Sequence, residues 1–178
     1  ILGMGLPSAV CYLLMATLVG PVLSDLGIVP LAAHLFIFYF GMMSMVTPPV
    51  ALAAYTAAAI ANAGIMQTGV AAFRFALVGF ALPYAFVLHP ELLLLSSDLT
   101  TTIANILIVL LGIFPLSAAI AGYAFAPLNT YQRTLLLTAA LLLFLTPSGD
   151  TRIYLQSMAL LVVGVITFLN RRSISFKS

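Results

Sequence analysis

The chain has 178 residues, of which six are Lys or Arg, four are Asp or Glu and 63% are hydrophobic, with a mean hydropathy of +1.23. A soluble domain carries about 25% charged residues and cannot cover its surface with so few, whereas a lipid-facing surface needs almost none. The sequence therefore reads as an all-α polytopic membrane protein surrounded by membrane lipid. A net charge of +2 carried by so few residues gives no basis for binding nucleic acid, and the single cysteine, Cys11, excludes an internal disulfide.

The chain opens with Ile1-Leu2-Gly3-Met4-Gly5, with no initiator Met and no charged, cleavable leader; it is expected to be the C-terminal piece of a longer polypeptide. Each crossing takes roughly 20 apolar residues. Cutting the sequence at charges, Gly and Pro predicts a partial segment over 8-24, then five crossings over 31-63, 70-88, 104-125, 132-147 and 154-170. The connections hold Pro30, Gly64, Pro90, Pro127, Pro147 and Gly149, which stop helices or turn the chain.

The charges set an orientation. If Arg171, Arg172 and Lys177 are cytoplasmic, as the positive-inside bias suggests, counting backwards puts Arg133 and Arg74 inside and Arg152 outside. Asp25, Glu91, Asp98 and Asp150 then fall outside. Segment 8-24 consequently runs outward from a point within the membrane. It is either a truncated helix or the outgoing arm of a re-entrant hairpin. Gly3, Gly5, Pro7 and Ser8 suit a bend followed by a helix start, because Gly permits unusual backbone and Pro favours a first helical turn.

The run over 31-63, about 33 residues, exceeds a simple crossing even with tilt, and Met45-Val46-Thr47-Pro48-Pro49-Val50 interrupts it. Two prolines remove two backbone donors and push Thr47 into extended geometry. Pro48 is expected to leave the Ser44 carbonyl unpaired, and Pro49 that of Met45. Carbonyls freed within a membrane need protein, water or an ion to satisfy them. One side of such a break suits a cation and the other, with free N-H groups and a positive dipole end, an anion. Discontinuous helices of this kind build the sites of secondary transporters. A proline kink that only shapes packing is the competing reading.

Residues 51-61 are rich in Ala, which lets helices approach closely in lipid, so this half-helix is expected to be enclosed by protein. His34 and His89 read as interfacial residues, Asn62 and Asn105 as caps or interfacial residues, and Cys11 as a small buried side chain. Phe36, Phe38, Tyr39 and Phe40 are expected against lipid or neighbouring helices. No Ser-His-Asp set, His/Cys metal cluster or phosphate loop is present in the sequence, so an enzyme is not expected. No acidic residue lies mid-span, which favours sodium over protons as the coupling ion.

The segments Gly3-Met4-Gly5-Leu6-Pro7-Ser8, Pro30 to Gly41 (PLAAHLFIFYFG) and Val46-Thr47-Pro48-Pro49-Val50-Ala51 resemble the large membrane subunit of tripartite ATP-independent periplasmic (TRAP) transporters. The likeness is strongest to the fused type, in which small and large membrane subunits form one polypeptide paired with a TAXI-class binding protein. Its motifs cover roughly residues 1-95.

The resemblance implies a sodium-driven elevator carrier with inverted repeats, re-entrant hairpins and discontinuous helices, fed by a periplasmic solute-binding protein and importing small carboxylates across the bacterial inner membrane. It implies no cofactor beyond the coupling Na+. By this resemblance residues 1-65 hold the second hairpin's outgoing arm and the unwound transport helix, 66-95 the next transmembrane helix, and 96-178 extra C-terminal helices. Gly3, Gly5 and Ser8 would lie at the hairpin tip and Ser44, Thr47, Pro48 and Pro49 in the unwound segment, together forming a sodium and substrate site. Gly3, Ser44 and Thr47 are the implied Na+ ligands. Many large subunits carry an acidic residue and a hydroxyl near that tip, where this chain has Leu6-Pro7-Ser8. A binding-protein-independent sodium/dicarboxylate carrier and a channel-like protein are the alternative readings.

Overall fold

In a computed structural model, residues 6–95, 98–146 and 151–175 are described, with side chains to Arg171. Every regular element among them is helical. The chain divides into two compact units, residues 1–93 and 94–178.

The first unit begins with α1 (Ser8–Leu18) and α2 (Gly20–Asp25). The segment expected as one run over 8-24 is thus interrupted at Gly20-Pro21, where Pro21 has no N-H to continue the ladder. Gly27 turns the chain in the left-handed conformation, at φ 77°, and the Ile28 N-H closes onto the Leu23 carbonyl at 3.1 Å. Then α3 (Pro30–Met43) starts on a proline in its first turn, the position where a missing N-H costs nothing. It lies against both α1 and α6 (Leu82–Leu88).

Ala32, Ala33, Ile37 and Gly41 are the buried face of α3, and their small side chains let α1 come close. A methyl group placed on Gly41 would lie 3.5 Å from Cys11 Sγ and 3.7 Å from the Ser8 carbonyl oxygen. Cys11 is buried as a small apolar side chain. The aromatic residues of α3 divide between its two neighbours. The Phe38 ring meets Tyr12 of α1 edge-on, while Phe36 and Phe40 pack on Tyr84 of α6.

After the break come α4 (Leu52–Ile60) and α5 (Ile65–Ala76). Asn62, at φ 53°, ends α4 in the left-handed conformation that Asn tolerates, and the Ala63 N-H reaches the Ala58 carbonyl at 2.9 Å. The cap expected of Asn62 is present. Ala51, Ala54 and Ala58 are buried, but Leu52 and Ile60 are exposed. Within this chain α4 therefore buries one small-residue face and leaves the opposite face, with Leu52 and Ile60, open.

The crossing expected over 70-88 also differs. Its helix starts at Ile65 and bends by 49° between Ile65–Ala76 and Gly79–Leu88. Pro83 removes a donor just after Gly79, and at Gly79 a methyl group would lie 2.8 Å from Met43 Cε, so the bend follows α3 closely. His89, expected at the interface, is 1% exposed at the end of α6.

The second unit is three helices, α7 (Leu99–Ala121), α8 (Thr130–Leu145) and α9 (Arg152–Ser175), with α8 packed against both others. Leu136, Leu143 and Phe144 of α8 are fully buried. A methyl group on Gly112 would lie 3.0 Å from the Phe144 ring, so that glycine sets the α7–α8 approach. Gly122, at φ 73°, closes α7 in a left-handed turn. Arg133 Nε donates to the Ala119 carbonyl at 2.9 Å, placing a cation at the negative end of α7.

By length and composition, two helices among the described residues can cross a membrane, Leu99–Ala121 and Arg152–Arg171, or three if the bent pair is one span. The sequence reading counted five crossings. Helix α8, with 16 residues, is about 24 Å long at 1.5 Å per residue, short of a core of about 30 Å. The predicted span over 31-63 is divided between α3 and α4, neither long enough alone.

Candidate functional site

The α3–α4 break is built by its prolines. Following α3, a single tight turn covers Ser44–Val46, and Thr47 turns extended at φ −104°, ψ 117°, as the residue before a proline must. The Pro48-Pro49 peptide is cis. The chain re-enters helix through Ala51, at φ −68°, ψ 69°, an inverse γ-turn closed by the Leu52 N-H on the Val50 carbonyl at 2.7 Å.

The hydrogen bonds show how the freed groups are met. The Thr47 N-H reaches the Ser44 carbonyl at 3.4 Å, so that carbonyl is not unpaired as the sequence suggested. The tightening of the last turn supplies what Pro48 cannot. The Ser44 hydroxyl donates to the Gly41 carbonyl at 2.7 Å and the Thr47 hydroxyl to the Met43 carbonyl at 2.6 Å. Each hydroxyl has spent its hydrogen on the helix end, leaving its oxygen lone pairs as acceptors. Across the break, the Tyr55 hydroxyl donates to the Pro49 carbonyl at 2.8 Å.

Helix α5 closes over this turn at a glycine. A methyl group on Gly69 would lie 2.8 Å from Tyr55 Cε1 and 3.5 Å from Pro48 Cγ. Gly69 is buried, and only a residue without a side chain fits there. Neither Tyr55 nor Gly69 was singled out by sequence. The signal for Gly69 was present, since a lone glycine inside a helical pattern marks close approach of another segment. Tyr55 carried none, because its partner is fixed by the fold of the break.

Of the predicted site residues, Gly3 and Gly5 lie outside the described residues. Ser8 opens α1, and its carbonyl faces Gly41, one turn before Ser44. Ser44, Thr47, Pro48 and Pro49 form the break itself. Of the first segment, Ser8 is the described site residue, and it approaches α3 at Gly41, one turn before the break.

Among the described residues no three His, Cys, Asp or Glu side chains gather. A cation at this break would be held by neutral oxygens, and a hard cation accepts hydroxyl and carbonyl oxygen readily. On the far side α4 begins with its positive dipole end. His34 lies on α3 away from the break, its Nδ1 paired at 3.0 Å with the Tyr12 hydroxyl; this contact ties α1 to α3.

Residues 1–101 match the family model described as Tripartite ATP-independent periplasmic transporter, DctM component. No curated protein and no solved structure matches the chain.

Proposed function

The chain belongs to the DctM component family of tripartite ATP-independent periplasmic transporters, and on that premise we propose that it carries organic acids inward by sodium-coupled symport, with the α3–α4 break as its ion and substrate site. Family membership makes it a non-enzymatic permease component of the inner membrane that works with a periplasmic solute-binding protein. We further infer a fused, TAXI-type permease with an elevator mechanism, a cytoplasmic C-terminus and a small carboxylate as substrate.

The observation that carries this reading is the oxygen arrangement at the break. Ser44 and Thr47 direct their hydroxyl hydrogens into helix carbonyls, so their lone pairs remain for a cation. The N-terminal end of α4 lies across the Pro48-Pro49 turn, where the helix dipole favours a carboxylate. Sodium and an organic anion thus find opposite partial charges on the two sides of one turn. The Ser8 end of α1 stands beside the same stretch of α3, which supports reading the preceding Gly3 and Gly5 as a hairpin tip.

The test is solute uptake into proteoliposomes containing the transporter and its cognate binding protein. Uptake is expected to require an inward sodium gradient and to fall to background without the binding protein. Uptake indifferent to sodium would overturn the coupling, and full uptake without the binding protein would select the binding-protein-independent carrier.

A further inference from the structure

The second unit buries a polar cluster that the transport site does not use. Asn105, in the second turn of α7, is 3% exposed, and Gln156, in the second turn of α9, is 5% exposed. Arg152, one turn before Gln156 and on the same face of α9, donates through Nη2 to Asn105 Oδ1 at 2.5 Å. Asn105, expected as a cap or an interfacial residue, is not the cap of α7, which is Asp98; it lies in the second turn, near the helix end, and is buried against the Arg152 guanidinium.

Three atoms of this cluster are buried without a hydrogen-bond partner: Asn105 Nδ2, Arg152 Nε and Gln156 Nε2. All three are nitrogens that donate, so the group they lack is an acceptor. Turning the Asn105 amide over would bring two donors face to face, so its Nδ2 must point away from the guanidinium. Arg152 itself is half-buried, but its Nε is buried without an acceptor, and a partly desolvated cation favours a compensating negative charge. Arg152 is also the first residue of α9, where the helix dipole itself is positive. Side chains and helix end therefore call for the same kind of partner.

Depth narrows the choice. Arg152 opens the apolar stretch Arg152–Arg171, and Asn105 lies about 9 Å along α7 from its first residue. Both are close to an end of a membrane-length helix, where Arg side chains reach toward phospholipid headgroups. A phosphate group offers several charged oxygens to a guanidinium and adjacent amides at once. We infer that Asn105, Arg152 and Gln156 form a binding site for a phosphate oxyanion, supplied by an anionic phospholipid headgroup or by free phosphate.

The test uses the full chain in detergent, titrated with phosphatidylglycerol, phosphatidylcholine or inorganic phosphate while its thermal unfolding is followed. Phosphatidylglycerol is expected to stabilise at about fivefold lower concentration than phosphatidylcholine, the effect of one basic residue near anionic lipid. Asn105→Asp, which places a carboxylate against Arg152 from within, is expected to abolish that preference. Gln156→Leu, a helix-compatible apolar replacement, is expected to weaken it. Arg171→Gln, at the other end of the same apolar stretch, is expected to leave it unchanged. Stabilisation by inorganic phosphate that is lost in Asn105→Asp would assign the site to the soluble ion. A lipid preference equal in wild type, Asn105→Asp and Gln156→Leu would overturn the site, as would a wild type that responds to neither lipid nor phosphate.

Discussion

The hydroxyl of Tyr55 donates to the carbonyl of Pro49 at 2.8 Å, so the first turn of α4 holds the second proline of the break that precedes it. The same ring stands where a methyl group on Gly69 would lie 2.8 Å away. Three segments, the turn, α4 and α5, thus share one aromatic side chain. The break is a packed structure and not an open kink.

Gly69→Ala is expected to destabilise the protein by about 1–3 kcal/mol, the usual consequence of overfilling a packed site. Tyr55→Phe keeps the ring and loses only its hydrogen bond, at about 1 kcal/mol. Thermal unfolding of both variants checks this order, and Tyr55→Ala should relieve most of the Gly69→Ala penalty. Additive losses in the double variant would show that ring and glycine are not in contact.

Thr47→Ala removes the hydroxyl that donates to the Met43 carbonyl together with one oxygen of the proposed sodium site. Sodium activation of uptake should weaken about tenfold, the effect of roughly 1.4 kcal/mol of lost ion binding. Thr47→Ser should retain it. Thr138, whose hydroxyl donates to the Leu135 carbonyl on the exposed face of α8, supplies the control: Thr138→Ala should leave sodium activation unchanged. Equal sodium dependence in Thr47→Ala and Thr138→Ala would reduce the break to a packing feature.

Asp98 caps α7, accepting from the Thr100 N-H at 3.0 Å and from the Thr101 hydroxyl. Those bonds, the Thr101 hydroxyl first, hold its carboxyl below the usual carboxylate value. A lowered folded value means that the cap's contribution is full above the unfolded carboxylate range and is lost as pH falls through the folded value. Amide exchange in the first turn of α7, corrected for its intrinsic pH dependence, should accelerate only below that range. Asp98→Asn, which can still cap, should remove the pH dependence while keeping protection at neutral pH.

Asn170 closes the turn between α7 and α8. Its Oδ1 accepts from the Phe125 and Ala126 N-H groups at 3.0 and 2.7 Å, its Nδ2 donates to the Ala126 carbonyl at 3.3 Å, and it is 3% exposed. Asn170→Leu removes the acceptor of two part-buried backbone donors and should cost about 1–2 kcal/mol, read as a fall in the unfolding midpoint. Asn170→Asp retains the acceptor and should cost less.

Much of the first unit was legible from residue types. Pro48 and Pro49 together favour the break, because two consecutive residues lack an N-H and each proline pushes the residue before it out of helical geometry, whereas the single Pro115 is carried inside α7. The resemblance of residues 1-95 to the large subunit agrees with the family match over 1–101. Span counting fared less well. Hydropathy does not register a bend, and the apolar run over 70-88 gave no measure of how Gly79 and Pro83 would turn it. That Asn105 is buried was not legible, because a single polar residue near the end of an apolar run has two solutions, an exposed end or a buried partner, and its partner Arg152 lies in another helix.

Residue types alone were enough to show that this chain is a membrane protein, that the helical run over 31-63 is interrupted at Thr47-Pro48-Pro49, and which side chains stand at the interruption. Each follows from local chemistry: the cost of charge in lipid, a missing N-H and the steric demand of a proline on the residue before it. Packing alone set Ser8 beside Gly41, enclosed the break with Tyr55 and Gly69, and brought a half-buried arginine, Arg152, onto the buried Asn105. Those are contacts between segments remote in sequence, set by which small residues let two helices touch. The scarcity of charge noted at the outset announces a membrane protein; packing determines where a remaining charge is put to use.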